Sequence, residues 1–193
     1  MIGGVTGVFV TLRDSAFAVH GIAELSFAGA ALALLIGADV VTGSLVGSVA
    51  AALLIGLLGS RTSRQQSVIG TLMPFGLGLG ILFLSLYQGR SANRFSLLTG
   101  QIVSVDAAQI GEMALGAVVV VGGLLLLWRP LTFASVDPQV AAAKGVPLRA
   151  LSLVYMLLLG VAVALSVQVV GALLVLALLL SLIHISEPTR LGM

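Results

Sequence analysis

Cysteine is missing altogether from the 193 residues, and charge is scarce, with Asp, Glu, Lys and Arg making up 8% of the chain. The first absence excludes disulfides and any thiolate metal site, which leaves His, Asp, Glu and backbone carbonyls as possible ligands and argues against redox chemistry. The second excludes an ordinary water-soluble fold, because soluble domains carry roughly 25% charged residues. No loop of the GxxxxGK[ST] kind occurs, so chemistry on ATP must belong to another chain, and an enzyme is not expected. Nine basic residues scattered between apolar runs form no patch for nucleic acid, despite the net charge of +2. The start, MIGGVTGVFVTLRD, lacks both a basic leader region and a small-residue cleavage site. It reads as the end of a membrane span rather than a signal peptide.

What is abundant is apolar sequence, 59% of the chain, with a mean hydropathy of +1.21. Lipid is therefore the expected solvent, and a span needs about 20 apolar residues to cross it. The runs fall at Met1 to Leu12, which is too short, then Ile22 to Gly37, Gly43 to Gly59, Val68 to Tyr87, Ile110 to Trp128, and Ala150 onward. The last run, to Ile185, would be about 50 Å long as one helix and is expected to break near Gln168 to Gly171. Every backbone amide in lipid must be paired, and ten-residue alternating strands are absent, so the runs read as helices. The expected fold is all-α, a polytopic transmembrane bundle with about six to seven spans.

Basic residues favour the cytoplasmic ends of spans. Arg13, Arg61, Arg64, Arg129, Lys144 and Arg149 fall in one set of alternate loops and only Arg90 and Arg94 in the other, which places the first set inside. Asp39, Asp106 and Glu112 then lie on or near the outer side, as surface charges or as attractors of cations. Small residues recur at four-residue spacing, as in Ser26 and Ala30, Gly43 and Gly47, and Gly76 and Gly80. Such spacing lets helices approach closely in lipid, although glycine is also generally enriched there.

The longest inward loop, residues 129–149, reads RPLTFASVDPQVAAAKGVPLR and is punctuated like a short helix. Asp137 suits the N-cap, Pro138 the first helical position, and Gln139, Val140, Ala141, Ala142, Ala143 and Lys144 propagate it. Gly145 can end the helix in the left-handed conformation, and Pro147 forbids continuation. Two turns of helix are marginal alone in water, so this one needs a surface: its own protein, the lipid interface or a partner.

That loop, with the following LSVQVVGALLVLALL, resembles the permease subunits of the zinc and manganese importer family among the ATP-binding cassette transporters. Three other stretches share the resemblance: GVFVTLRDSAFAVHGIAELSFAGAALALLIG, SVIGTLMPFGLGLGILFLSL and SLLTGQIVSVD. The similarity runs colinearly from about Gly4 to Leu180. It implies an all-helical permease of about eight spans in a bacterial cytoplasmic membrane, working as a homodimer or pair, fed by an extracytoplasmic metal-binding protein or lipoprotein. It also implies that residues 137–145 are the coupling helix seated in a separate cytoplasmic ATPase, with zinc or manganese as cargo and no permanent cofactor. The resemblance begins partway through a first span and stops near residue 180, where SLIHISEPTRLGM replaces the family's further helices. Residues 1–180 are thus expected to be an incomplete permease domain, and residues 181–193 an aberrant tail from a truncated or wrongly joined frame. His184 and Glu187 in that tail are not expected to be ligands.

Ionisable groups within apolar spans are costly and point to function. His20 and Glu24, in AFAVHGIAELSFAG, are four apart on one helical face, so an imidazole nitrogen and a carboxylate can meet one cation. Resembling family members carry an Asp and a His at this spacing, so here the residue types differ and the spacing is kept. A structural hydrogen-bonded pair is the alternative. Gln168 can offer a carbonyl oxygen to an ion or bond a neighbouring helix. Two other transport functions remain open: a permease for a bulky cargo such as an iron chelate or cobalamin, and an ion-gradient-driven secondary transporter, which would favour inverted repeats that are not visible.

Overall fold

Two short connections show how local chemistry shapes the chain in the computed structural model, which describes residues 2–58, 62–88 and 107–170. Helix α1, Ile2–Leu12, is closed by paired bonds from Asp14 N–H to the Thr11 carbonyl and from Ser15 N–H to the Val10 carbonyl, with Asp14 at a left-handed φ of 48°. Helix α2, Ala16–Ile36, ends in the same pattern at Gly37, where φ is 73° and no side chain opposes the turn. Asp39 then starts α3, Val40–Leu58, by accepting the Thr42 N–H at 2.8 Å. The outward surface charge expected at Asp39 is therefore also a helix cap.

The remaining elements are α4, Thr62–Leu86, α5, Ala107–Leu126, α6, Trp128–Val136, α7, Pro138–Ala143, and α8, Leu148–Val170. Every regular element among the described residues is helical. Among the described residues four helices, α2, α3, α4 and α8, are long and apolar enough to cross a membrane, and α5 with α6 adds a fifth if that bent pair counts as one span. The chain is thus a polytopic all-α membrane protein. The eleven residues of α1 are as short as expected. The break anticipated near Gln168 to Gly171 falls at the end of the described residues, where α8 is helical through Val170, and the tail 181–193 lies beyond them.

Helix α2 is the centre of the bundle and packs along both α3 and α4, while α8 lies against α3, α2 and α5. Its contact with α3 is a backbone seam. A Cβ placed on Gly29 would overlap the Gly43 carbonyl oxygen, and one on Gly47 would overlap the carbonyl of Leu25. Glycine alone lets the two helices approach this far, so the four-residue spacing of Gly43 and Gly47 is a genuine packing code. Across the same seam Ser26 and Ser44 share a buried hydroxyl hydrogen bond of 2.7 Å. On the other side of α2, Gly76 of α4 faces the backbone of Glu24 and Leu25.

The segment read as an inward loop is more ordered than the sequence suggests. After Leu127 the chain bends by 57° and continues as the nine-residue α6. Pro130 is tolerated because it sits in the first turn, where its missing N–H has no partner to lose. Leu131 and Ala134, three apart, bury themselves in the core and hold α6 against the bundle. Only Asp137 and residues 144–147 of the segment 129–149 therefore lie outside helices.

Candidate functional site

The His20 and Glu24 side chains meet on α2 as their spacing predicts. The His20 Nε2 lies 3.9 Å from the Glu24 Oε1, too far for a direct hydrogen bond. Donor atoms each about 2.0–2.2 Å from one ion in a tetrahedral site lie roughly 3.3–3.6 Å apart, so a small closing of the gap lets this pair share a cation. Glu24 is only 5% exposed and lies in the most enclosed helix, with its backbone against Gly76. His20 is the more accessible of the two, one turn nearer the end of α2 that carries Arg13. Among the described residues no third His, Asp or Glu joins them to make a cluster. Two protein ligands hold an ion loosely, which suits passage better than storage.

Helix α7 forms where the sequence placed it. The Asp137 carboxylate accepts the N–H groups of Gln139 and Val140 at 3.1 and 3.0 Å, and Pro138 occupies the first helical position. At the other end Gly145 takes a φ of 80°, with Gly145 N–H donating to Ala142 and Val146 N–H to Ala141. Ala141 is fully buried against the bundle, whereas Gln139, Val140, Ala142, Ala143 and Lys144 face outward. The helix thus satisfies its need for a surface on one side through its own protein, and leaves a small, mostly apolar face open on the other. Lys144 also lies over the Phe133 ring of α6 at 5.3 Å.

Sequence reasoning missed a third group at this end of the bundle. Arg13, taken only as a topology signal, donates from Nε to the Ser135 Oγ at 3.2 Å and lies 5.0 Å over the Tyr155 ring. Burial lowers its pKa from the ordinary value while the nearby Tyr155 opposes that, and a guanidinium stays charged at any physiological pH. Tyr155 is fully buried, and its hydroxyl lies 3.2 Å from the Ser15 Oγ. The partners of Arg13 and Ser15 are 122 and 140 residues away in the chain, so no local pattern announces them.

Of the other candidates, Arg90, Arg94, Asp106, His184 and Glu187 lie outside the described residues, as do the side chains of Arg64, Glu112 and Gln168.

The ABC 3 transport family matches residues 1–182, nearly the whole chain. The chain belongs to the ABC 3 transport family. Among its relatives is the manganese transport system membrane protein MntC of Halalkalibacterium halodurans, 30% identical over 183 residues, which cover 94% of this chain and 62% of MntC. The high-affinity zinc uptake system membrane protein ZnuB of Haemophilus influenzae is 23% identical, over 90% of this chain and 67% of ZnuB. The solved structure of PsaBC from Streptococcus pneumoniae in complex with Fab superposes with a TM-score of 0.77 at 25% identity, covering 93% of this chain and 65% of that one. This family member therefore spans somewhat under two thirds of the length of MntC.

Proposed function

We propose that this ABC 3 family chain forms the membrane pathway of an ATP-driven importer that carries zinc or manganese across a bacterial cytoplasmic membrane. The observation that carries the reading is the buried Glu24 carboxylate beside His20 in the central apolar helix, where an unpaired charge would otherwise be costly. The manganese and zinc transport named for its relatives supports the cargo class. In this reading an ion arriving from an extracytoplasmic binding protein loses water and exchanges it for the imidazole nitrogen and the carboxylate. The exposed face of α7 docks the ATPase. A second copy of the permease completes the pathway, and the exposed apolar faces of α4 and α5 offer surface for it or for lipid.

The test is uptake of radioactive zinc and manganese per correctly inserted molecule. His20→Ala and Glu24→Gln are each expected to lower uptake about tenfold or more, at least the loss seen when a partner supporting a metal ligand is removed, with insertion and ATPase retention unchanged. Normal uptake per molecule in both variants would overturn the metal role.

A further inference from the structure

Arg13, Ser15, Ser135 and Tyr155 come from three separated parts of the chain and meet where the last turn of α6, α8 and the foot of α2 come together. Each contact is directional. Ser135 Oγ accepts from Arg13 while donating to the Leu131 carbonyl at 2.6 Å, so the guanidinium grips the last turn of α6. Asp137 N–H still bonds the Phe133 carbonyl at 3.1 Å as the Asp137 carboxylate caps α7, so α6 and α7 join through one residue with no slack. On the opposite side Ser15 occupies the N-cap of α2 yet makes no capping bond with its side chain. Its hydroxyl pairs instead with the Tyr155 hydroxyl of α8, a bond that either oxygen can donate, so the position makes a distant contact in place of a local cap. His20 follows Ser15 by little more than one helical turn. A second tie, the edge-on contact of Phe9 with Trp128 at 4.9 Å, fixes α1 to the start of α6.

We propose that Arg13 is a positioning residue that joins the α6–α7 segment to the foot of α2, so that movement of α7 is transmitted to the helix bearing His20 and Glu24. This rests on the reading of α7 as the ATPase docking helix. Apolar packing alone is non-directional and lets helices slide, whereas a guanidinium held by one hydroxyl and one ring has a single register. Displacing α6 must then either carry the α1–α2 turn along or break the charged contact.

The experiment uses the permease with its ATPase in proteoliposomes and reads metal transported per ATP hydrolysed. Ser135→Ala removes the acceptor at a half-buried position, and Arg13→Lys keeps the charge while losing the Nε donor. Each is expected to lower the ratio roughly three- to tenfold while the ATPase stays bound and ATP hydrolysis continues. The double variant should fall no further than the worse single one, because both break the same link. A purely structural role would lower transport and hydrolysis together, in proportion to lost protein. That result, an unchanged ratio or strictly additive losses would overturn the inference. Ala142→Asp, measured alongside, separates it from its premise. Release of the ATPase by Ala142→Asp with an unchanged ratio in the Arg13 and Ser135 variants would overturn the link alone. Retention of the ATPase by Ala142→Asp would overturn the docking reading and the link with it.

Discussion

At the scale of single residues, two acidic side chains carry local structure that can be checked directly. Asp137 satisfies two N–H groups of α7, a helix of six residues that cannot hold itself. Replacing it with Ala should cost about 1 kcal/mol and accelerate hydrogen exchange at the Gln139 and Val140 amides, while Asp137→Asn should retain most of the protection. Asp14 does the opposite kind of work, because its φ of 48° is a conformation that glycine adopts more easily. Asp14→Gly is expected to leave thermal stability unchanged or slightly raised, and Asp14→Val to lower it by about 1–2 kcal/mol in a denaturation series. The role of Asp137 was legible because a cap and its helix are neighbours in the chain. Asp14 was not, since nothing in LRDS distinguishes a left-handed aspartate from an ordinary turn residue.

At the scale of elements, glycines that look alike in the sequence differ in what they face. Gly29, Gly43 and Gly47 oppose backbone, which cannot rotate away, whereas a Cβ at Gly122 of α5 would meet nothing within 4 Å. Gly43→Leu should therefore separate α2 from α3 and reduce the yield of folded protein, at a cost of about 3 kcal/mol or more. Gly122→Ala should be neutral or gain up to about 1 kcal/mol through helix propensity. Melting of purified protein in detergent compares the two, and equal losses would refute the seam. The four-residue spacing pointed to Gly43 and Gly47 correctly, yet which partner they met required the structure. The existence of α6 escaped sequence reading for a related reason. Arg129 and Pro130 look like the start of a loop, and only burial of Leu131 and Ala134 makes the segment worth ordering as a helix.

At the scale of the whole molecule, the enclosed α2 carries both possible ion ligands at the centre of the bundle, and α7 presents its open face at the end marked by Arg13. The proposed metal role of His20 and Glu24 predicts that the donor atoms on α2 distinguish the metals. Zinc accepts nitrogen in tetrahedral sites, and manganese favours oxygen-rich octahedral ones. His20→Asp, which leaves two carboxylates, is thus expected to lower zinc uptake several-fold more than manganese uptake. The paired exchange His20→Asp with Glu24→His, which keeps one carboxylate and one imidazole at the same spacing, should transport better than either single variant. Competition uptake with both isotopes in one preparation measures the preference. An equal fall for the two metals would show that the pair does not discriminate between them.

Hydropathy and helical periodicity were enough to establish a helical membrane bundle, the approximate limits of its helices, the capped helix at Asp137 to Gly145, and the shared face of His20 and Glu24. All of these depend on residues within a turn or two of each other, where bilayer thickness and the 3.6-residue repeat leave few alternatives. The enclosure of Glu24, the backbone seam at Gly29, the 57° bend into α6 and the junction at Arg13 came only with the packed fold. They join segments up to 140 residues apart, and which distant surfaces meet is set by how whole helices fit together, not by the local chain.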